Sequence, residues 1–177
     1  MKREHGDVVI EWRPYLLRPN MPPEGMEIPG EYLADMADTR RRLKKMADVG
    51  GLKVVFSGRI SNSRLALEAT EYAYAHGRGE EFHRAVFQKL YGEGQHIGNW
   101  EVLREAAINA GLDAGEMESA VKSGEYAEVL EKKLAEAASL GVKAVPTFVI
   151  NDSYRIVGAQ PYEVFEQALA AIESAKE

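Results

Sequence analysis

The sequence predicts an α/β fold, and three observations carry that prediction. A β-branched and aromatic run, Val8-Val9-Ile10-Glu11-Trp12-Arg13, is closed by Pro14 and reads as a strand. A long middle segment, about 61–140, repeats its apolar residues at helical spacing. The tail from Thr147 onward reads as strand, turn, strand, helix. Strand, helical block, hairpin and helix in that order is an α/β sequence of elements.

The elements follow from local chemistry. After the first strand, Leu17-Arg18-Pro19-Asn20-Met21-Pro22-Pro23-Glu24-Gly25 is forced into an extended loop by its prolines. Pro29 to about Asp48 places Leu33, Met36, Leu43 and Met46 at helical spacing, and Leu52 to Phe56 is a short extended run broken by Ser57-Gly58. Ser61 or Asn62 caps a helix running through Ala75, ended by Gly77 and Gly79. A second helix from about Glu81 to Tyr91 buries Phe82, Val86, Phe87 and Leu90. Asn99 caps a third, stopped at Gly111, and Asp113 starts a short fourth through Val121. An alanine-rich helix from about Glu125 to Leu140 stops at Gly141. Thr147 to Asn151 is nearly continuous apolar, as expected of a strand covered on both faces. Asn151-Asp152-Ser153 is a turn by composition, Tyr154 to Val157 the return strand, and Pro161 opens a last helix burying Val164, Phe165, Ala168, Leu169 and Ile172.

Composition bounds the function. A chain of 177 residues fits one domain, 1–177, with a helical insertion over about 61–140. Net charge −6 argues against nonspecific nucleic-acid binding, which needs a basic face to displace counterions. No apolar run approaches the roughly 18 residues that cross a bilayer, and Met1-Lys2-Arg3-Glu4-His5-Gly6-Asp7 holds no apolar signal core. The expectation is a soluble, cytoplasmic protein with neither membrane nor nucleic-acid partner. Cysteine is absent, which excludes disulfides, thiolate zinc sites and cysteine nucleophiles within these residues.

Gly141-Val142-Lys143-Ala144-Val145-Pro146-Thr147-Phe148-Val149-Ile150 carries the strongest motif, because proline is tolerated at a strand's first residue and hardly elsewhere in a sheet. This segment resembles the cis-proline segment of thioredoxin-fold DsbA-type proteins. Glu11-Trp12-Arg13-Pro14-Tyr15-Leu16-Leu17-Arg18-Pro19-Asn20-Met21-Pro22 resembles a segment of the FrnE-like dithiol oxidoreductases of that family. Asn62-Ser63-Arg64 followed by Ala66, Gly94-Gln95-His96-Ile97-Gly98, and Gly158-Ala159-Gln160-Pro161 resemble further family segments. The resemblance implies a thioredoxin-like DsbA-type sheet with a helical insertion. It also implies a cis Val145–Pro146 bond beside which the backbone of Val145 pairs with an extended peptide or glutathione.

The family's first strand, its CxxC turn and the helix bearing it precede the strand that Val8–Arg13 matches. Seven residues stand there, too few for a strand of about 5 and a helix of about 10. The expectation is a missing N-terminal βα unit, an exposed apolar strand edge, and a homodimer that covers it. Direct pairing of the flanking strands, or an N-terminal piece from another polypeptide, are the other outcomes. The resulting reading is a binding module for a peptide, a ligand or a partner, an oxidoreductase by resemblance and without a catalytic cysteine. Val145, Pro146 and Asn62 are the candidate binding residues, with no catalytic or metal-ligating residue assigned. One alternative is a glutathione-dependent enzyme like the kappa transferases and 2-hydroxychromene-2-carboxylate isomerases, whose serine would also lie in the missing helix. Another is the C-terminal part of a split dithiol oxidoreductase.

The remaining polar groups read as structural. His5, His76, His83 and His96 lack the i,i+4 spacing of a helical zinc site and are expected at the surface. Arg40-Arg41-Arg42-Leu43-Lys44-Lys45 has no interleaved aromatics and reads as a solvated helix face.

Overall fold

The structure, a computed structural model, describes residues 8–152 and 154–174. The chain divides into two compact units, Arg18–Lys133 and Met1–Leu17 together with Leu134–Glu177.

The larger unit is helical. Its short β1 (Met26–Glu27) and β2 (Arg59–Ile60) pair antiparallel, with Met26 opposite Ile60. Between them lie α1 (Gly30–Asp35) and α2 (Ala37–Val49), then α3 (Arg64–Ala75), α4 (Gly79–Phe87), a single π-helical turn (Gln88–Gly92), α5 (Trp100–Asn109) and α6 (Ala114–Lys122). The start of α7 (Glu125–Ser139) belongs to this unit as well. Two of the caps expected from sequence are in place, whereas α3 has Ser63 at its N-cap, not Ser61 or Asn62, and Ser63 makes no side-chain cap bond. Asn99 accepts from the Glu101 N–H at 2.9 Å, and Asp113 accepts from Gly115 and Glu116 at 2.8 and 2.9 Å.

An alanine-rich core follows from these helices. Ala66, Ala69 and Ala73 of α3 and Ala106 and Ala107 of α5 are buried, so the helices approach closely around the larger Phe82, Leu103 and Met117. Tyr126 of α7 enters the same core edge-on to Tyr72, ring centres 5.5 Å apart. Gly79 permits one tight join, since a Cβ there would come within 2.1 Å of the Tyr74 ring.

Several details depart from the sequence reading. The helix expected from Pro29 to Asp48 is interrupted at Met36, where α1 ends and α2 begins. Leu43, Met46 and Val49 of α2 are exposed, so the stripe that looks like a core face has no covering element within this unit. The second helix does not reach Tyr91 as an α-helix, because the turn over Gln88–Gly92 is π. Phe87, expected inside, is half exposed and stacks on His83 instead. Leu52 to Phe56 forms no ladder, and Val55 donates to the Tyr91 carbonyl at 2.7 Å. The basic run lies as expected: Arg41, Arg42, Lys44 and Lys45 are exposed, while Arg40 is half-buried with its guanidinium 5.1 Å from the Phe56 ring centre.

The smaller unit holds β3 (Thr147–Ile150), β4 (Tyr154–Val157) and α8 (Tyr162–Ser174). Asn151 and Asp152 both take positive φ in the hairpin turn, a conformation that asparagine and aspartate tolerate best among residues with a Cβ. The third predicted turn residue, Ser153, lies outside the described residues. Ile156, Phe165 and Ile172 are buried, and Phe148 meets Phe165 edge-on at 4.8 Å.

Two strand expectations are corrected here. Val8–Arg13 is not a strand, and Val9 is 91% exposed. A β-branched run forms a strand only where a neighbour accepts its ladder, and β3 pairs with β4 alone among the described residues. Nor is β3 covered on both faces: Phe148 is exposed and its neighbours half-buried, because the sheet has two strands.

Candidate functional site

The chemistry of the smaller unit centres on the head of β3. Val145 and Pro146 precede it, their peptide bond is cis, and Val145 is half exposed. The Pro146 carbonyl accepts from the Gly158 N–H at 2.8 Å, and the Thr147 hydroxyl donates to the Ala144 carbonyl at 2.7 Å. Arg155 of β4 donates to the Leu140 carbonyl, tying the hairpin to the end of α7.

Register settles which main-chain groups are spent. Antiparallel pairs alternate between hydrogen-bonded and non-hydrogen-bonded. Because Pro146 accepts from Gly158, the bonded pairs are Pro146 with Gly158, Phe148 with Ile156 and Ile150 with Tyr154. Thr147 and Val149 therefore aim their N–H and C=O groups at the opposite edge, which has no ladder partner among the described residues. An unpaired row of this kind is a template for another extended segment. Exposed Val9, Trp12, Val145 and Val157 add apolar surface in the same unit.

Asn62 lies in the larger unit, and its side chain is fully engaged there. Its amide donates to the Met21 carbonyl at 2.6 Å and the Pro22 carbonyl at 3.3 Å, and its oxygen accepts from the Arg64 N–H at 2.8 Å. It thus sits just before the N-cap of α3 and pins the proline loop to the first residue of that helix.

The histidines are mostly not free surface groups. His76 stacks on Tyr72 at 3.9 Å with Nδ1 2.8 Å from the Tyr72 carbonyl. His83 is held below the ordinary histidine range by burial and by Arg84, with Glu80 opposing. His96 places Nδ1 2.8 Å from the Ser61 hydroxyl, a pairing across 35 residues that no sequence spacing announces. His5 lies outside the described residues.

Buried charges in this unit are paired. Lys89 meets Glu105 at 2.6 Å and Glu93 at 3.0 Å, and these bonds hold its ammonium above the usual lysine range. Arg104 and Lys122 clamp Glu118 at 2.5 Å each and hold it below the carboxylate range. Glu68 is paired as well, but its carboxyl shifts the other way. Burial raises its carboxyl above the ordinary range despite Arg64 at 3.6 Å, and the negative charge of Glu131, itself 2.8 Å from Arg64, adds to the rise. A carboxyl whose folded pKa exceeds its unfolded value binds more protons when folded, so ionising it costs stability as pH rises through that raised value. Glu68→Gln is therefore expected to raise the melting temperature at pH 7 and leave it unchanged below the carboxylate range. A lower melting temperature at pH 7 would contradict this.

Among the described residues no group of three or more His, Asp or Glu is placed to hold a metal ion. No helix there is long and apolar enough to cross a membrane.

These elements, a cis-proline strand head, a hairpin, a final helix and a helical block, define a thioredoxin-like fold of the DsbA type. A family model for the DsbA-like thioredoxin domain matches residues 1–170, and the chain belongs to that family. It is 32% identical over 167 residues to the uncharacterized protein YwbO of Bacillus subtilis (strain 168), covering 93% of this chain and 82% of that protein. A crystal structure of a probable DsbA oxidoreductase from Streptomyces coelicolor superposes with a TM-score of 0.82 at 26% identity, covering 90% of this chain and 73% of that one. A 2-hydroxychromene-2-carboxylate isomerase shares the fold, with a TM-score of 0.69 at 21% identity, over 82% of this chain and 70% of that one.

Proposed function

We propose that this chain is a binding module on the DsbA scaffold, of the FrnE-like branch, which takes an extended segment along the open edge of β3. The observation that carries the reading is the unspent main-chain row of Thr147 and Val149 beside exposed Val145 and Pro146. Strand addition at a sheet edge gains affinity from main-chain hydrogen bonds and specificity from alternate side chains. The occupant proposed is a second copy of the chain, in a homodimer, with an extended peptide as the other ligand of the same edge. Thiol–disulfide exchange needs a thiolate nucleophile, and these residues supply none. A cytoplasmic location is part of the same proposal.

Light scattering on a sizing column tests it. The proposal expects a mass near twice 19.6 kDa, whereas a monomer that also fails to bind extended peptides would sink it. Retention on immobilised glutathione, competed by free glutathione, would favour the glutathione-dependent reading instead.

A further inference from the structure

We propose that Ser61 and His96 form a nucleophile–base pair that accepts an acyl group from an activated carboxylic ester. The pair lies in the larger unit and does not rest on the β3 edge. The Ser61 hydroxyl and His96 Nδ1 are 2.8 Å apart, within the range of a serine activated by a histidine. Neither side chain has another hydrogen-bond partner among the described residues, so nothing there competes for the hydroxyl proton or for Nδ1. Both residues are half-buried.

The pair is held from both sides. Ser61 directly follows β2, and its other neighbour, Asn62, is bonded to Met21, Pro22 and Arg64. The guanidinium of Arg59 donates to the Glu24 carbonyl at 2.6 Å, bracing the pairing of β1 with β2. The imidazole sits where two glycines leave room. A Cβ at Gly98 would come within 2.8 Å of His96 Cε1 and 3.0 Å of Nε2, and one at Gly25 within 3.3 Å of Cε1. In a serine triad a carboxylate orients the base, whereas here the ring lies close against Gly25 and Gly98.

The chemistry balances without a co-reactant other than water. With the imidazole proton on Nε2, Nδ1 accepts the Ser61 proton as Oγ bonds to the ester carbonyl carbon. The bond to the leaving oxygen then breaks, His96 returns the proton to that oxygen, and an acyl-serine remains. Water, deprotonated by His96, releases the carboxylic acid and restores Ser61. With no carboxylate on Nε2 among the described residues, the pair needs a leaving group that departs easily, and aryl esters are the class it fits.

The test uses the whole chain with p-nitrophenyl acetate and with a fluorophosphonate, reading adducts by peptide mass mapping. A single adduct on the peptide containing Ser61 is expected. It should vanish in Ser61→Ala and form at least about a hundredfold more slowly in His96→Gln at an unchanged melting temperature, the low end of what general-base assistance supplies. Absence of a Ser61 adduct in the wild-type chain overturns the proposal whatever the variants do. Equal labelling of wild type and folded His96→Gln also overturns it, leaving the pair as a tie between β2 and the 94–98 loop.

Discussion

Val149→Pro is expected to halve the solution mass of the chain while leaving the β3–β4 hairpin formed. Proline removes one N–H, and at Val149 that N–H points away from β4, so no bond of the observed ladder is lost. Phe148→Pro is the control with the opposite outcome. Its N–H lies in a bonded pair with Ile156 and its ring meets Phe165, so both the ladder and the packing under α8 are damaged. Light scattering reads the mass and circular dichroism the fold. If Val149→Pro keeps the wild-type mass, the open edge is not where the chain associates.

Phe82→Ala carries the largest expected loss of stability. Phe82 is fully buried in α4 among the alanines of α3 and α5, which are too short to close over the space. Removal of a buried phenyl ring costs about 3–5 kcal/mol, a large share of the roughly 5–15 kcal/mol of a whole domain. Urea unfolding should show the midpoint falling steeply with little change in slope. A loss below about 1 kcal/mol would mean that the core collapses around the gap.

The helical unit was legible in the sequence because its signals are local. Asn99, Asp113 and Gly111 mark boundaries within a residue or two, and the alanine and aromatic spacing of α3 to α6 repeats over full turns. The motif around Pro146 was legible for a similar reason, since a proline heading an apolar run has few other places to sit. What failed depends on partners distant in the chain. Val8–Arg13 has strand composition but no ladder, and composition cannot show whether a neighbour is present. Pairing of Met26–Glu27 with Arg59–Ile60 is too short to leave a periodic trace. The exposed face of α2 has the same spacing as a buried one. Sequence leaves Asn62 open to both a capping and a ligand role, and the observed bonds to Met21, Pro22 and Arg64 engage both its amide nitrogen and its oxygen.

Amide-resolved hydrogen exchange of β3, measured over a range of protein concentration, tests the open-edge account most directly. Phe148 and Ile150 should be protected at every concentration, because their N–H groups face β4. The account predicts that Thr147 and Val149 gain protection as concentration rises and a second strand docks on their edge. Thr147 and Val149 exchanging at the unprotected rate throughout, beside a protected Phe148 and Ile150, would contradict it.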